Sequence, residues 1–374
     1  MDTHDAPASR APRDALTDVP GLRVGHAQRT GDGWLTGTTV VLAPENGGVA
    51  GVDARGGAPG TRETDALDPR NVVERIHAVV LSGGSAFGLD AASGVMAWLE
   101  EQGRGVRVGP DPSQVVPVVP AAVIFDLGRG GDWGARPDAN LGRRAVEEAA
   151  ASAPGAAVAE GCVGAGTGAV VGGLKGGIGT ASAMLPSGAV VGALVVLNAA
   201  GSATDPATGV LYGELTGGIP HVPPEDEHAE AEMLLAEAQE ETGRRAAGSL
   251  RPPLNTTLAV VATDASLTRP QAQRLAGSAH DGLARAVRPI HLMHDGDTVF
   301  ALSTEDRRLA EGEFNDVLAA GADVVTRAVV KAVRAAEGVD GPGGVFPSYR
   351  DLYGEAPSPP APYTEDSPED CPAD

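Results

Sequence analysis

Short apolar runs rich in Val, Thr and Ala recur along the chain, and glycines or prolines separate them. Each run is too short for an ordinary helix, so the pattern predicts buried β-strands. Strand-like sequence begins near Thr36, and the Ser187-Gly188 pair predicts a hairpin that ends at Asn198. The other predicted strands are residues 48–56, 76–81, 117–127, 256–263 and 297–302.

Apolar positions spaced for one helical face follow several of these strands. They predict helices over residues 85–102 and 138–151, a third that starts at Thr268 and includes 287, and a fourth over 315–336. Ser85 and Asp138 or Asn140 are candidate caps, and Pro270 fits a first helical turn. The positions expected to face inward are Phe87, Ala91, Val95, Trp98 and Leu99 in the first helix and Leu275, Leu283 and Val287 in the third. Strands in runs with helices between the runs favour two sheets covered by helices.

Three segments are too polar for a core. Residues 1–15 and 351–374 are predicted to be disordered tails, the second acidic and rich in proline. Residues 225–245 carry eight acidic and two basic side chains, which predicts a solvated helix or a flexible linker within 222–250. A single domain over residues 16–350 remains.

The 374 residues have a formal net charge of −22, more than half of it in residues 225–245 and 355–374. Such a chain lacks the clustered cations that nucleic acids or anionic membranes require. Cys162 and Cys371 are too few for a disulfide framework, and Cys162 is expected to be a core thiol. The polar start has no secretion-signal pattern and the longest apolar run is short of a membrane span, so we expect a cytoplasmic protein.

The Asn255-Thr256 pair lies between the acidic segment and an apolar strand. It is either an ordinary strand start or an autoproteolytic junction, since a glycosylation sequon needs a secreted chain. In a junction, the Thr256 hydroxyl attacks the preceding carbonyl, and the freed α-amine then serves as its general base. That amine has a reference pKa of about 7.7–8.0, which suits a base near neutral pH.

Asp295-Gly296-Asp297 is either a hairpin turn or a carboxylate pair that can support a nucleophile. His291 and His294 beside Asp295 lack the further ligands of a zinc site, so no metal is expected.

The glycine-rich stretch after residue 161 fits neither a dinucleotide fold nor a phosphate loop, because glycines replace the required helix and Lys175 precedes Gly176. Lys175 is therefore either a hairpin surface residue or a buried cation, and Asn198 is either a turn former or a donor facing a cleft.

Seven segments stand out in this order along the chain: LTDVPGLRVGHA, VDARGGAPGTRETD, LSGGSAFGLDAASGV, VPAAVIFDLG, KGGIGTAS, LNTTLAVVATDA and HDGDTVFALST. Together they resemble the L-aminopeptidase/D-esterase family of N-terminal nucleophile hydrolases, and the resemblance covers about Leu16 to Val345. That family includes β-peptidyl aminopeptidases and nylon-oligomer (6-aminohexanoate-oligomer) hydrolases, and the Asn-Thr pair is similar to the latter branch.

The resemblance implies a mixed α/β (α+β) fold, a four-layer α-β-β-α sandwich of the type found in ornithine acetyltransferase. It implies self-cleavage after Asn255 into residues 1–255 and 256–374, which remain together and assemble as tetramers or larger homo-oligomers. No cofactor is implied, and the expected partner is a small peptide or amide substrate.

The resemblance also assigns roles. Thr256 corresponds to the nucleophile, Asp295 and Asp297 to its supporting pair, and Lys175 and Asn198 to the cation and the oxyanion-side amide. Phe125 occupies a position where relatives often have Tyr. Backbone N–H groups near Gly83 and Gly84 are expected to help stabilise the oxyanion, whereas the sequence leaves Asp126 and Arg129 unplaced as substrate-recognition candidates.

Two alternatives to an amide hydrolase remain. The ester intermediate can be taken by an amine, as in ornithine acetyltransferase, or the chain can be an inactive scaffold. The Asn-Thr pair and the two aspartates favour activity, and Phe125 weighs slightly against it.

Overall fold

The structure, a computed structural model, describes residues 13–217, 220–245 and 255–354. The predicted tails therefore lie largely outside the described residues, as does the segment between residue 245 and Asn255. The described fold reaches past the expected boundary at residue 350, because a short helix continues to Tyr353.

The described elements are sixteen strands, six α-helices and five 3-10 helices. The strands are β1 Arg23–Gly31, β2 Trp34–Leu42, β3 Val49–Ala54, β4 Thr61–Arg62, β5 Ala78–Ser82, β6 Val106–Arg107, β7 Val115–Val116, β8 Ala121–Val123, β9 Val170–Val171, β10 Leu174–Lys175, β11 Ile178–Met184, β12 Val190–Val196, β13 Leu258–Ala265, β14 Thr298–Arg307, β15 Val339–Gly341 and β16 Gly344–Phe346. The α-helices are α1 Ala91–Glu101, α2 Ala139–Ala151, α3 Glu225–Arg245, α4 Arg269–Ala286, α5 Glu313–Ala335 and α6 Tyr349–Tyr353. The 3-10 helices are Leu16–Asp18, Thr64–Leu67, Ser85–Asp90, Gly164–Gly166 and Tyr212–Thr216.

Two five-stranded sheets form the centre, in the orders β1-β2-β5-β8-β4 and β11-β12-β13-β14-β3. Helices α1 and α2 cover the outer face of the first sheet, and α4 and α5 cover the outer face of the second. Side chains from the two inner faces meet in a core between the sheets. The predicted four-layer α-β-β-α sandwich is confirmed.

The central strands are buried on both faces, which explains their continuous apolar sequence. In β13, Leu258 and Val260 face the core between the sheets, while Ala259 and Val261 face the helices. The predicted hairpin is formed by β11 and β12, and Thr268 caps α4 with a reciprocal bond to Gln271.

Glycines let the outer helices lie close to the sheets. A Cβ on Gly25 in β1 would lie 2.3 Å from the carbonyl oxygen of Ala145 in α2. A Cβ on Gly179 in β11 would lie 2.0 Å from the carbonyl oxygen of Ala328 in α5. Helix backbone occupies the space where a side chain would be, so both positions require glycine.

Strand structure begins earlier than expected, at β1 rather than near Thr36. Its sequence, RVGHAQRTG, is polar because β1 is an edge strand whose C-terminal residues are exposed. Its N-terminal half packs against α2 through Gly25, which adds no apolar side chain to the pattern. The strand expected over residues 117–127 is only Ala121–Val123. It begins late because the prolines before Ala121 donate no ladder hydrogen bond.

The helix expected over residues 85–102 has two parts, Ser85–Asp90 in 3-10 form and α1. Ser85 makes no side-chain cap and has a φ of 51°, so the predicted cap is wrong. Phe87 is also misassigned, because its side chain is 54% exposed and contacts the guanidinium of Arg136. Asp138 caps α2 as expected.

The acidic segment is helical throughout Glu225–Arg245, which decides between the helix and linker interpretations for these residues. Only Ala231 and Ala238 are buried, so most of α3 faces solvent. Its inner side contacts β16 and α6.

Candidate active site

Three neighbouring strands bring the candidate residues to one edge of the second sheet. Asn198 follows the end of β12, Thr256 precedes β13, and Asp297 precedes β14. Because β12 runs antiparallel to β13 and β14 runs parallel to it, these three strand ends meet. Residues separated by up to 99 positions are thus placed side by side by strand order alone.

Thr256 is 6% exposed, and both of its hydrogen-bond donors are engaged. Its N–H donates to the carbonyl oxygen of Asn198 at 2.8 Å. Its hydroxyl donates to the carbonyl oxygen of Asn255, the residue before it, at 2.7 Å. The N–H of Gly296 donates to the same Asn255 oxygen at 3.2 Å. The Asn255 carbonyl is therefore held between the threonine hydroxyl and a backbone donor.

Asn198 is fully buried, with its side-chain orientation set by two donors. Its Oδ1 accepts from Nη1 of Arg129 at 2.5 Å and from the N–H of Val170 at 3.1 Å. This orientation leaves Nδ2 buried without a partner among the described residues. A buried donor without an acceptor is costly, so an oxygen placed there by a substrate would bind favourably.

The two aspartates are buried but make different contacts. Asp297 accepts from the N–H of Thr257 at 2.6 Å and from Nδ1 of His291 at 2.8 Å. Asp295 accepts from the N–H of Leu292 at 2.8 Å, while its Oδ1 has no partner among the described residues. Burial raises the pKa of Asp295, because the charged form has lost water. Asp297 thus supports the chain beside Thr256 rather than its hydroxyl.

Lys175 is a buried cation rather than a surface residue. Its Nζ donates to the carbonyl oxygens of Gly166, Ala169 and Gly176 at 2.9–3.1 Å. None of its hydrogen bonds to the described residues reaches Thr256, Asp295 or Asp297. It instead holds the loop that supplies the Val170 N–H to Asn198. Burial lowers the pKa of Lys175 to about 8.

The expected oxyanion donors at Gly83 and Gly84 are already occupied. The Gly83 N–H donates to the carbonyl oxygen of Gly37 at 2.9 Å, and the Gly84 N–H donates to Oδ1 of Asp126 at 2.6 Å. The geometry therefore does not support the Gly83 and Gly84 N–H groups as oxyanion donors. Among the described residues, Asn198 Nδ2 is a buried donor that has no partner. Phe125 is half-buried, and its ring meets Trp133 edge-on with centroids 6.2 Å apart.

Arg129 is the site residue whose role the sequence did not place. Its Nη1 donates to the carbonyl oxygen of Gly168 at 2.6 Å as well as to Asn198, and its Nη2 donates to Oδ1 of Asn255 at 3.0 Å. Burial lowers the pKa of Arg129 to about 10, so it remains a cation at neutral pH. Its sequence signal is its position three residues after Asp126, directly after the segment VPAAVIFDLG that carries the family resemblance.

The sequence offers His291 only as a metal-ligand candidate, whereas in the structure its Nδ1 pairs with Asp297. Its ring also meets His280 edge-on, with centroids 4.7 Å apart. Within residues 13–217, 220–245 and 255–354, no group of three His, Cys, Asp or Glu side chains is placed to hold a metal ion. In the same ranges, none of the helices has the length and apolar character needed to cross a membrane.

Comparisons with known proteins show the family and the fold of this chain. Residues 14–346 match peptidase family S58. An uncharacterized aminopeptidase of Mycobacterium tuberculosis is 47% identical over 364 residues, covering 91% of this chain and 98% of that protein. A 6-aminohexanoate-oligomer endohydrolase of Kocuria is 32% identical over 298 residues, covering 77% of this chain and 74% of that protein.

Among solved structures, the L-aminopeptidase D-Ala-esterase/amidase of Ochrobactrum anthropi superposes with a TM-score of 0.67. It is 22% identical, and the superposition covers 93% of this chain and 94% of that one. That structure is described as a variant of the N-terminal nucleophile hydrolase fold, so the likeness shows the fold of this chain.

Proposed function

Because this chain belongs to peptidase family S58, we propose that it hydrolyses amide bonds with the hydroxyl of Thr256, after cutting its own backbone between Asn255 and Thr256. Amide hydrolysis itself follows from the family and from the aminopeptidase and amide-oligomer relatives. The nucleophile and the self-cleavage are the proposal.

One observation carries it: the Thr256 hydroxyl lies 2.7 Å from the oxygen of the carbonyl that it would attack. In the first step, Thr256 Oγ bonds to the Asn255 carbonyl carbon, and the bond from that carbon to the Thr256 nitrogen breaks. The hydroxyl proton passes to the departing nitrogen, which becomes the α-amine. Water then hydrolyses the ester and leaves Asn255 with a carboxylate. The Gly296 N–H stabilises the oxyanion that forms on the Asn255 carbonyl.

The same groups support turnover of a substrate. The α-amine of Thr256 takes the proton from Oγ as the hydroxyl attacks the substrate amide, and then returns it to the leaving amine. The carbonyl oxygen of Asn198, which already accepts from this nitrogen, holds the amine in place. The Gly296 N–H, which already holds the Asn255 carbonyl oxygen, donates to the substrate oxyanion, and Asn198 Nδ2, which has no partner among the described residues, supplies a second donor.

The remaining site residues position Thr256 and Asn198. Asp297 holds the Thr257 N–H, Asp295 presents a buried carboxylate to the same turn, and Lys175 fixes the loop behind Asn198. We propose small peptides, amino-acid amides or amide oligomers as substrates, handled in the cytoplasm by a homo-oligomer of the cleaved chain. No step requires a cofactor.

A denaturing gel and intact-mass measurement test the proposal. Incubation of the purified chain at neutral pH should yield residues 1–255 and 256–374, with a new N-terminus at Thr256. Thr256→Ala should remain one chain of 37.6 kDa and hydrolyse no amide, whereas Thr256→Ser keeps the hydroxyl and should still cut. A Thr256→Ala chain that cuts and turns over like the wild type would exclude Thr256 as the nucleophile.

A further inference from the structure

We propose that Arg129 selects substrates whose acyl residue carries an oxygen acceptor on its γ-carbon, as in L-asparaginyl and L-aspartyl amides. The inference rests on the proposed function, because it takes the bond between Asn255 and Thr256 as the one that the protein cuts. The structure then shows Asn255, the residue that supplies the acyl group in self-cleavage, bound at the site before the cut.

The two reactions share one kind of intermediate. Self-cleavage leaves the Asn255 acyl group as an ester on Thr256 Oγ, next to a free α-amine. Attack on a substrate amide leaves the substrate acyl group as an ester on the same oxygen, next to the same amine. In both cases water attacks that ester. Asn255 therefore marks where the acyl residue of a substrate lies, and its side chain marks the pocket for the substrate side chain.

Arg129 is the group that contacts the Asn255 side chain in this pocket. Its Nη1 is fixed by Gly168 and Asn198, whereas its Nη2 donates, among the described residues, only to Oδ1 of Asn255 at 3.0 Å. Arg129 is buried, so this donor has little access to water. When the cut chain end leaves, Nη2 loses its acceptor, and a substrate oxygen at the same position restores the bond.

Such a donor discriminates strongly against substrates that lack the acceptor, because a buried polar group then remains unpaired. An asparaginyl residue reproduces the Asn255 contact, and an aspartyl residue adds charge attraction to the guanidinium. A leucyl residue has the same branching at its γ-carbon but no oxygen. It leaves Nη2 without a partner.

The test compares p-nitroanilides of L-asparagine, L-aspartate and L-leucine on the full chain after self-cleavage. For the better of the two oxygen-bearing substrates, we expect kcat/KM to exceed that of the leucyl substrate by about tenfold to a hundredfold, the range of hydrogen bonds to a charged group. Arg129→Met should bring the ratio to about one. Arg104→Met is the matched control, because Arg104 donates to the carbonyl oxygens of Ala43 and Pro44, away from the site, and the ratio should persist.

The possible outcomes distinguish a failure of the role proposed for Arg129 from a failure of the proposed function. A cleaved wild-type enzyme that prefers the leucyl substrate, or shows no preference, overturns the role of Arg129 and leaves the nucleophile intact. An Arg129→Met enzyme that keeps the wild-type ratio overturns it too. Should that variant fail to fold or cut, the wild-type ratio still decides. A chain that neither cuts itself nor hydrolyses any of the three substrates contradicts the proposed function instead.

Discussion

The carbonyl oxygen of Asn198 accepts the N–H of Thr256 at 2.8 Å, while Arg129 holds the Asn198 side-chain amide with its Nδ2 unpaired in the described part of the chain. One residue thus contacts the nitrogen proposed as the base and offers a donor to the oxyanion. Its main chain and its side chain can be tested separately, because a substitution changes only the second.

Asn198→Asp should lower kcat by about a hundredfold to a thousandfold, the usual cost of one lost oxyanion donor. The new carboxylate keeps an acceptor for Arg129 and Val170, but it replaces the Nδ2 donor with an acceptor oxygen and adds a negative charge beside the oxyanion. Steady-state kinetics with a thermal melt check this, since the fold should persist. Unchanged turnover would show that Nδ2 does not serve the oxyanion.

Gly296→Ala should slow self-cleavage by about a hundredfold, because misplacing a reacting group by an ångström has effects of that size. A Cβ at this position would lie 2.7 Å from the Thr256 hydroxyl oxygen and 2.8 Å from the carbonyl oxygen of Ala58. The rate is read from the loss of the intact chain on gels. Gly243→Ala, where a Cβ meets nothing within 4 Å, is the control and should cut normally.

The pKa of Lys175 predicts how stability changes with pH. Burial lowers it from 10.5 to about 8, so the unfolded chain holds this proton more tightly than the folded chain. The free energy of unfolding should therefore rise between about pH 8 and 10.5, by an amount on the order of 3 kcal/mol from this group. Denaturant titrations of wild type and Lys175→Met should diverge over this window. Parallel curves would mean that folding does not lower the pKa of Lys175.

Asp295→Asn should raise the free energy of unfolding by about 1 kcal/mol at neutral pH while lowering turnover. Burial raises the pKa of Asp295, so the folded state favours its neutral form, and ionisation removes that stabilisation as pH rises through the folded pKa. The amide stays neutral and can still accept from Leu292. The stability gain should shrink as pH falls. A destabilised variant at neutral pH would indicate that the unpaired Asp295 oxygen has a partner in solution.

The sequence predicted the layers because the central strands are buried on both faces and contain continuous apolar runs. It also predicted Asn198 as a polar residue at the end of such a run, Thr256 as a possible junction at the start of one, and Asp297 as one of two carboxylates two residues apart. β1 escaped prediction because an edge strand packed through glycine has no apolar alternation. The prediction that Phe87 faces inward is wrong because residues 85–90 form a 3-10 helix rather than an α-helix. The different number of residues per turn points the Phe87 side chain in another direction.

The hydrogen-bond partners within the site could not be read from the sequence. The N–H groups of Gly83 and Gly84 are occupied by residues 46 and 42 positions away, one in β2 and one after β8. Arg129 contacts Asn198 and Asn255, which are 69 and 126 positions away. Contacts at such separations leave no local periodicity, so only the fold reveals them.

The strand order of the second sheet has a consequence for the proposed cut. β11, β12 and β3 would belong to the first product, and β13 and β14, between β12 and β3, to the second. The two products would be fragments of a single sheet rather than docked subunits. Their mutual dissociation constant would then report the stability of the fold, and mixing separately made fragments would amount to a folding reaction.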